Sequence, residues 1–178
     1  MVAVSAPGTS HQTLGTPLGT PCQDAHALRV LPGGELVVAV ADGAGSAARS
    51  GEGAQRAVES MTTALVATLE ESLPQIEDEW QAVVVEAFGR TREALVAFAA
   101  EEHEDVRAFA TTLTCAIATD TWLVVGQIGD GAVVATDATG ALCTGRCDPD
   151  EENLPMPPTS SRWTTPCASW MCRPSRST

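Results

Sequence analysis

The chain has 178 residues, 44% of them apolar, and a formal net charge of −13. That length suits one domain with a core of its own. The acidity excludes nucleic acid and an anionic membrane as partners, since both demand a basic face.

Three Phe, four Trp and no Tyr leave the core to Val, Ala and Leu. No apolar run approaches the ~20 residues of a membrane span. The opening MVAVSAPGTSHQ has no basic or apolar segment of an export signal, so the expected compartment is cytoplasmic. Cys22 and Cys115 stand singly in apolar settings and are expected to be buried free thiols. Cys143 with Cys147, and Cys167 with Cys172, lack the tight spacing of a zinc knuckle. A disulfide framework does not suit a chain without an export signal.

Residues Met1–Pro21 are rich in Gly, Thr, Ser and Pro and read as loops with one irregular strand. Ala25–Val30 reads as a strand, followed by a turn at Pro32-Gly33-Gly34. Glu35–Ala41 is a continuous apolar run, as for a strand buried on both faces. A helix starts within Ser46–Ser50 and runs to about Glu71, with Ala54, Ala57, Val58, Met61, Leu65 and Leu69 on one face. A second begins at Pro74 and reaches about Glu102, with Ile76, Trp80, Val84, Ala87, Leu95 and Phe98 as its apolar stripe. The period then drops to two. Thr112–Thr119, Trp122–Ile128, Ala132–Thr136 and Ala141–Thr144 read as strands joined by short turns, hence antiparallel. Strands, two helices and further strands in that order predict an α+β fold with helices packed on a sheet.

One stretch, VADGAGSA at Val40–Ala47, poses a chemical problem. Glycine-rich turns after strands cradle phosphate, and the carboxylate of Asp42 would repel it. A dinucleotide fingerprint, with Gly43, Gly45 and Ala48 as G-x-G-x-x-A, is one reading. Against it stand the aspartate itself, the two consecutive helices where a βαβ unit needs a return strand, and the missing acidic residue about 20 positions on. The other reading makes Asp42 a ligand for Mg²⁺ or Mn²⁺, which prefer oxygen donors. Gly43 lets the backbone approach and can add its carbonyl. Bound cations invert the local field, so phosphate is attracted. Asp24, before the second strand, and Asp130, in Gly129-Asp130-Gly131, are the further candidate ligands, since both lie at strand ends beside turns. Asp also favours turns for its own backbone reasons.

GTSH at Gly8–His11, PCQDA at Pro21–Ala25, VADGAGSA at Val40–Ala47, ATTLTCAI at Ala110–Ile117 and IGDGAVV at Ile128–Val134 form an ordered set. The set resembles the bacterial metal-dependent protein Ser/Thr phosphatases of type 2C. The resemblance covers roughly Gly8 to Thr144. It implies an α-β-β-α sandwich of two antiparallel sheets flanked by helices, here incomplete. It also implies two or more Mn²⁺ or Mg²⁺ ions, with Asp42 bridging two, Gly43 giving a carbonyl, Asp24 acting partly through water and Asp130 at a weaker additional ion. The implied reaction is in-line attack of a metal-bridging hydroxide on phosphoserine or phosphothreonine of a protein substrate.

Departures from the family pattern are specific. No arginine precedes Asp24 in Gly19-Thr20-Pro21, Gln23 replaces a common acidic residue, and Ala44 stands where many members have histidine. His26 lies close enough to Asp24 in sequence to serve as a proton donor; a structural histidine is the simpler reading. His103 reads as a helix-end residue. From about Gly145 the apolar period vanishes. Residues 1–144 therefore read as the N-terminal part of a phosphatase-like domain and 145–178 as an irregular tail. A reading-frame shift between about Thr144 and Asp150 is the expected origin of that break. The family's later metal-binding aspartates are missing, so the alternative function is an inactive remnant or a module that binds phosphoproteins without turnover.

Overall fold

Alternation within Leu36–Asp42 decides how the sheet meets the helices. Val37, Ala39 and Ala41 are buried, while Leu36 and Val38 are half-buried and Val40 is 49% exposed. The computed structural model describes residues 22–136, 142–145 and 167–172. The GTSH segment and most of the region beyond Gly145 lie outside these residues.

Strands β1 (Asp24–Val30) and β2 (Leu36–Asp42) form a hairpin. Its turn closes through the Leu31 N–H donating to the Glu35 carbonyl at 2.9 Å, with Gly34 at φ +96°. Helices α1 (Ser50–Glu71) and α2 (Glu77–Glu101) follow, then a 3₁₀ turn at Val106–Phe109. Strands β3 (Leu113–Ala118), β4 (Leu123–Ile128), β5 (Val133–Thr136), β6 (Leu142–Gly145) and β7 (Cys167–Cys172) complete the order. One five-stranded sheet runs β1-β2-β3-β4-β7, every pair antiparallel, and β5 with β6 forms a separate antiparallel pair. The fold is α+β.

The core lies between one face of the large sheet and the helices. Val37, Ala39, Leu113, Cys115, Ile117 and Val124 supply the sheet side; Ala57, Val58, Met61, Leu65, Trp80, Val84 and Phe88 supply the helix side. Small strand residues permit close approach: a side chain at Gly126 would strike Val84 and Phe88 of α2. The helical stripes match the sequence period, except that Ile76 precedes α2 at its N-cap and is 54% exposed. Phe98 is half-buried and meets Phe109 in a tilted contact, ring centroids 5.0 Å apart and planes 58° from parallel.

Two expectations change. The apolar run of β2 predicts burial on both faces, yet among the described residues only the helix side is covered at Val40. The stretch CASWMC, read as irregular, forms β7 beside β4. Edge pairing is made by backbone groups and needs no period in the sequence. No helix among the described residues is long and apolar enough to cross a membrane.

Candidate metal centre

Asp24 is the first residue of β1 and Asp42 the last of β2, and they are direct partners in the hairpin register. The Gly43 N–H donates to the Gln23 carbonyl at 3.1 Å, which makes residues 23 and 43 a hydrogen-bonded pair. Alternation then makes Asp24 and Asp42 a non-hydrogen-bonded pair, the kind with Cα atoms only about 4.5 Å apart and side chains closest on one face. Both are exposed. Like charges directly opposite on one face of an antiparallel pair destabilise it by up to about 1 kcal/mol. The half-buried Cys22 thiol, which differs here from the buried thiol expected, donates to Asp24 Oδ2 at 3.7 Å.

The backbone of Asp42 is held from the far side by the segment entering β3. The Thr112 N–H donates to the Asp42 carbonyl at 2.9 Å, and the Thr111 hydroxyl donates to the same oxygen at 2.9 Å. The Asp42 N–H donates to the Thr112 hydroxyl at 3.0 Å. The chains stay together beyond this point: Gly43 bridges Thr111, and the Ala44 N–H donates to the Ala110 carbonyl at 2.9 Å. Gly43 has no room for a side chain, since a Cβ would lie 2.8 Å from the Ser50 carbonyl oxygen. The glycine brings the strand exit against the first turn of α1.

Asp130 sits in the turn after β4, at the same end of the sheet. Gly129, at φ +101°, lies against Thr112: a Cβ there would be 2.7 Å from its methyl group. The buried Gln127 holds this turn, its Nε2 donating to the carbonyls of Gly129 at 2.9 Å and Gly131 at 2.6 Å. The structure thus pairs Asp24 with Asp42 and sets the Asp130 turn behind Thr112. Among the described residues no group of three or more His, Cys, Asp or Glu side chains is placed to hold a metal. His26 is half-buried, two residues along β1 from Asp24 and on the same face. His103 follows α2 in a left-handed conformation, φ 57°, as a helix-end residue.

A second cluster ties down the approach to α1. The Arg49 guanidinium donates to Glu52 at 2.7 and 2.6 Å and to Glu102 at 2.8 Å. It also lies 4.8 Å from the Phe109 ring centroid. The hydrogen bonds from Arg49 hold the Glu52 carboxyl below its ordinary value, and those from Glu52 and then Glu102 raise Arg49 further above its own. Burial pushes the Cys115 thiol up to about 12.

Sequence reasoning gave Thr111 and Thr112, within ATTLTCAI, no role of their own. The signal was two adjacent hydroxyl residues at a strand entrance.

The donor set at Asp24, Asp42 and Gly43 is all oxygen: two facing carboxylates and a carbonyl at a close-packed glycine. That chemistry fits a hard divalent cation such as Mg²⁺ or Mn²⁺, which fills its remaining positions with water.

A family model described as protein phosphatase 2C matches residues 8–153. No curated protein sequence matches the chain. Among solved structures, a bacterial serine phosphatase carrying an arginine-to-lysine substitution superposes with a TM-score of 0.54 at 14% identity, over 70% of this chain and 48% of the other. The serine/threonine phosphatase Stp1 from Staphylococcus aureus superposes with a TM-score of 0.50 at 17% identity, over 70% of this chain and 46% of the other. An arginine-to-alanine form of the bacterial serine phosphatase gives 0.51 at 17% identity, over 86% and 64%. The chain thus spans about half the length of the first two structures. At these identities the likeness is one of fold.

Proposed function

Because this chain belongs to the protein phosphatase 2C family, we propose that its site hydrolyses phosphoserine and phosphothreonine in protein substrates, with divalent cations held at Asp24, Asp42 and the Gly43 carbonyl. The observation that carries the reading is the pairing of Asp24 with Asp42 across the end of one hairpin. Nothing in strand packing calls for two like charges face to face. A dication between them turns their repulsion into attraction.

Bound there, Mn²⁺ or Mg²⁺ supplies charge neutralisation for the phosphoryl group and acidifies water at the site. The chain's own residues position. β1 and β2 fix the spacing of the carboxylates, and Gly43 keeps the strand exit free of a side chain. Asp130, on the turn behind Thr112, serves a further, weaker ion. His26 lies on the face of Asp24, half-buried, and a structural role is the simpler reading for it.

A second reading, phosphoprotein binding without turnover, draws on the absence of a third carboxylate beside the pair among the described residues. Hydrolysis of p-nitrophenyl phosphate and of a phosphothreonine peptide by the full chain, titrated with Mn²⁺, separates the two. Turnover that rises with Mn²⁺ and is lost in Asp42→Ala supports the phosphatase. Peptide binding with no turnover at any Mn²⁺ concentration replaces it with the binding module.

A further inference from the structure

In an unbroken antiparallel ladder, a hydrogen-bonded pair exchanges two backbone bonds. Asp42 and Thr112 exchange one: the Thr112 N–H reaches the Asp42 carbonyl at 2.9 Å. In the other direction the Asp42 N–H goes to the Thr112 side-chain hydroxyl at 3.0 Å. The Thr112 carbonyl lies instead 2.9 Å from the Thr111 hydroxyl, which has the Asp42 carbonyl as its other acceptor at 2.9 Å. Two side-chain hydroxyls therefore complete the pairing at the one β2 residue whose side chain faces Asp24.

We propose that Thr111 and Thr112 are positioning residues that lock the main chain of Asp42, so that its carboxylate and the Gly43 carbonyl face Asp24 as a cation site. This rests on the reading that Asp42 holds a divalent cation. The Thr112 side chain is divided between two tasks. Its hydroxyl accepts from Asp42, and its methyl lies against Gly129 in the Asp130 turn, where no Cβ fits. Valine keeps the methyl and loses the hydroxyl; serine keeps the hydroxyl and loses the methyl. The two substitutions separate anchoring of Asp42 from packing of the turn.

The test uses the full chain and two readouts: Mn²⁺ affinity from the electron-paramagnetic-resonance signal of free Mn²⁺, and hydrogen exchange of the Asp42 amide. Thr112→Val is expected to weaken Mn²⁺ binding about tenfold, the size of one lost net hydrogen bond. It should speed Asp42 amide exchange by about the same factor while Val37 in mid-strand keeps its protection. Thr112→Ser should restore both. Wild-type affinity together with wild-type Asp42 protection in Thr112→Val overturns the proposal. If far-UV circular dichroism shows Thr112→Val unfolded, Thr111→Val decides: weaker Mn²⁺ binding there supports the clamp, and unchanged binding overturns it. If the wild type binds no Mn²⁺, or Asp42→Asn binds it equally well, the cation reading has failed. Amide exchange then judges the clamp alone.

Discussion

Asp24 and Asp42 face each other as a non-hydrogen-bonded pair at the open end of the β1–β2 hairpin, each terminating its strand. The same placement makes the pair a source of repulsion without cations and, if it holds a cation as proposed, a binding element with them. Replacing either acid should therefore raise metal-free stability while removing the response to metal. Asp42→Asn is expected to melt up to about 2–4 °C above wild type in chelator, the equivalent of roughly 1 kcal/mol for a chain of this size. Wild type should gain stability on adding millimolar Mn²⁺ and Asp42→Asn should not. Thermal melts with and without Mn²⁺ measure both.

Two helical glycines should respond to alanine with opposite signs. Gly89 is exposed on α2, and a methyl group added there would meet nothing within 4 Å. Gly89→Ala should stabilise by up to about 1 kcal/mol through helix propensity. Gly53 on α1 abuts the backbone carbonyl of Phe109, leaving no room for a methyl group. Gly53→Ala should destabilise by about 1–3 kcal/mol despite the same propensity gain. Urea denaturation at constant m-value reads both.

The Arg49–Glu52–Glu102 cluster predicts an acid-side effect of definite sign. Glu52 titrates below its ordinary value of 4.5 because Arg49 donates two hydrogen bonds to it. A depressed carboxyl contributes stability above its unfolded pKa and loses it as pH falls through the folded value. Wild type should lose its advantage over Glu52→Gln below about pH 4.5, and added salt should shrink that advantage at neutral pH. Melting temperatures from pH 2.5 to 7 at low and high salt give the comparison.

Cys115, buried on β3 with its thiol pushed up to about 12, should resist alkylation in the folded chain. Cys22, half-buried, should react first of the two. Peptide mass mapping after brief N-ethylmaleimide treatment, native against denatured, measures the difference. A native Cys115 modified as fast as Cys22 would contradict the packing of β3 beneath the helices.

Helices and strands were legible because burial imposes a period. The faces of α1 at Ala54, Val58, Met61, Leu65 and Leu69 are the ones the period picks out. Short turns gave the antiparallel pairing of β3 with β4 and of β5 with β6. The step from β4 to β5 between sheets was not legible, because the Gly129–Gly131 turn looks like any other hairpin loop in sequence. Asp24 and Asp42 were legible as candidates from their position beside turns. Their direct opposition depends on register, which the hairpin turn sets. The hydroxyl clamp was hidden for a different reason: Thr112 lies 70 residues from Asp42, and nothing local reveals that a side chain replaces a carbonyl there.

That separation also orders events during folding. The hairpin carrying both acids closes through a turn at Leu31–Glu35, a local event on the microsecond scale. The threonines lie about 70 residues further along the chain, so their closure on Asp42 is non-local and slower. The carboxylates therefore become neighbours early and acquire a fixed aim late. If the pair holds a cation as proposed, an ion present during synthesis would meet a loose, adjustable chelate before a rigid one.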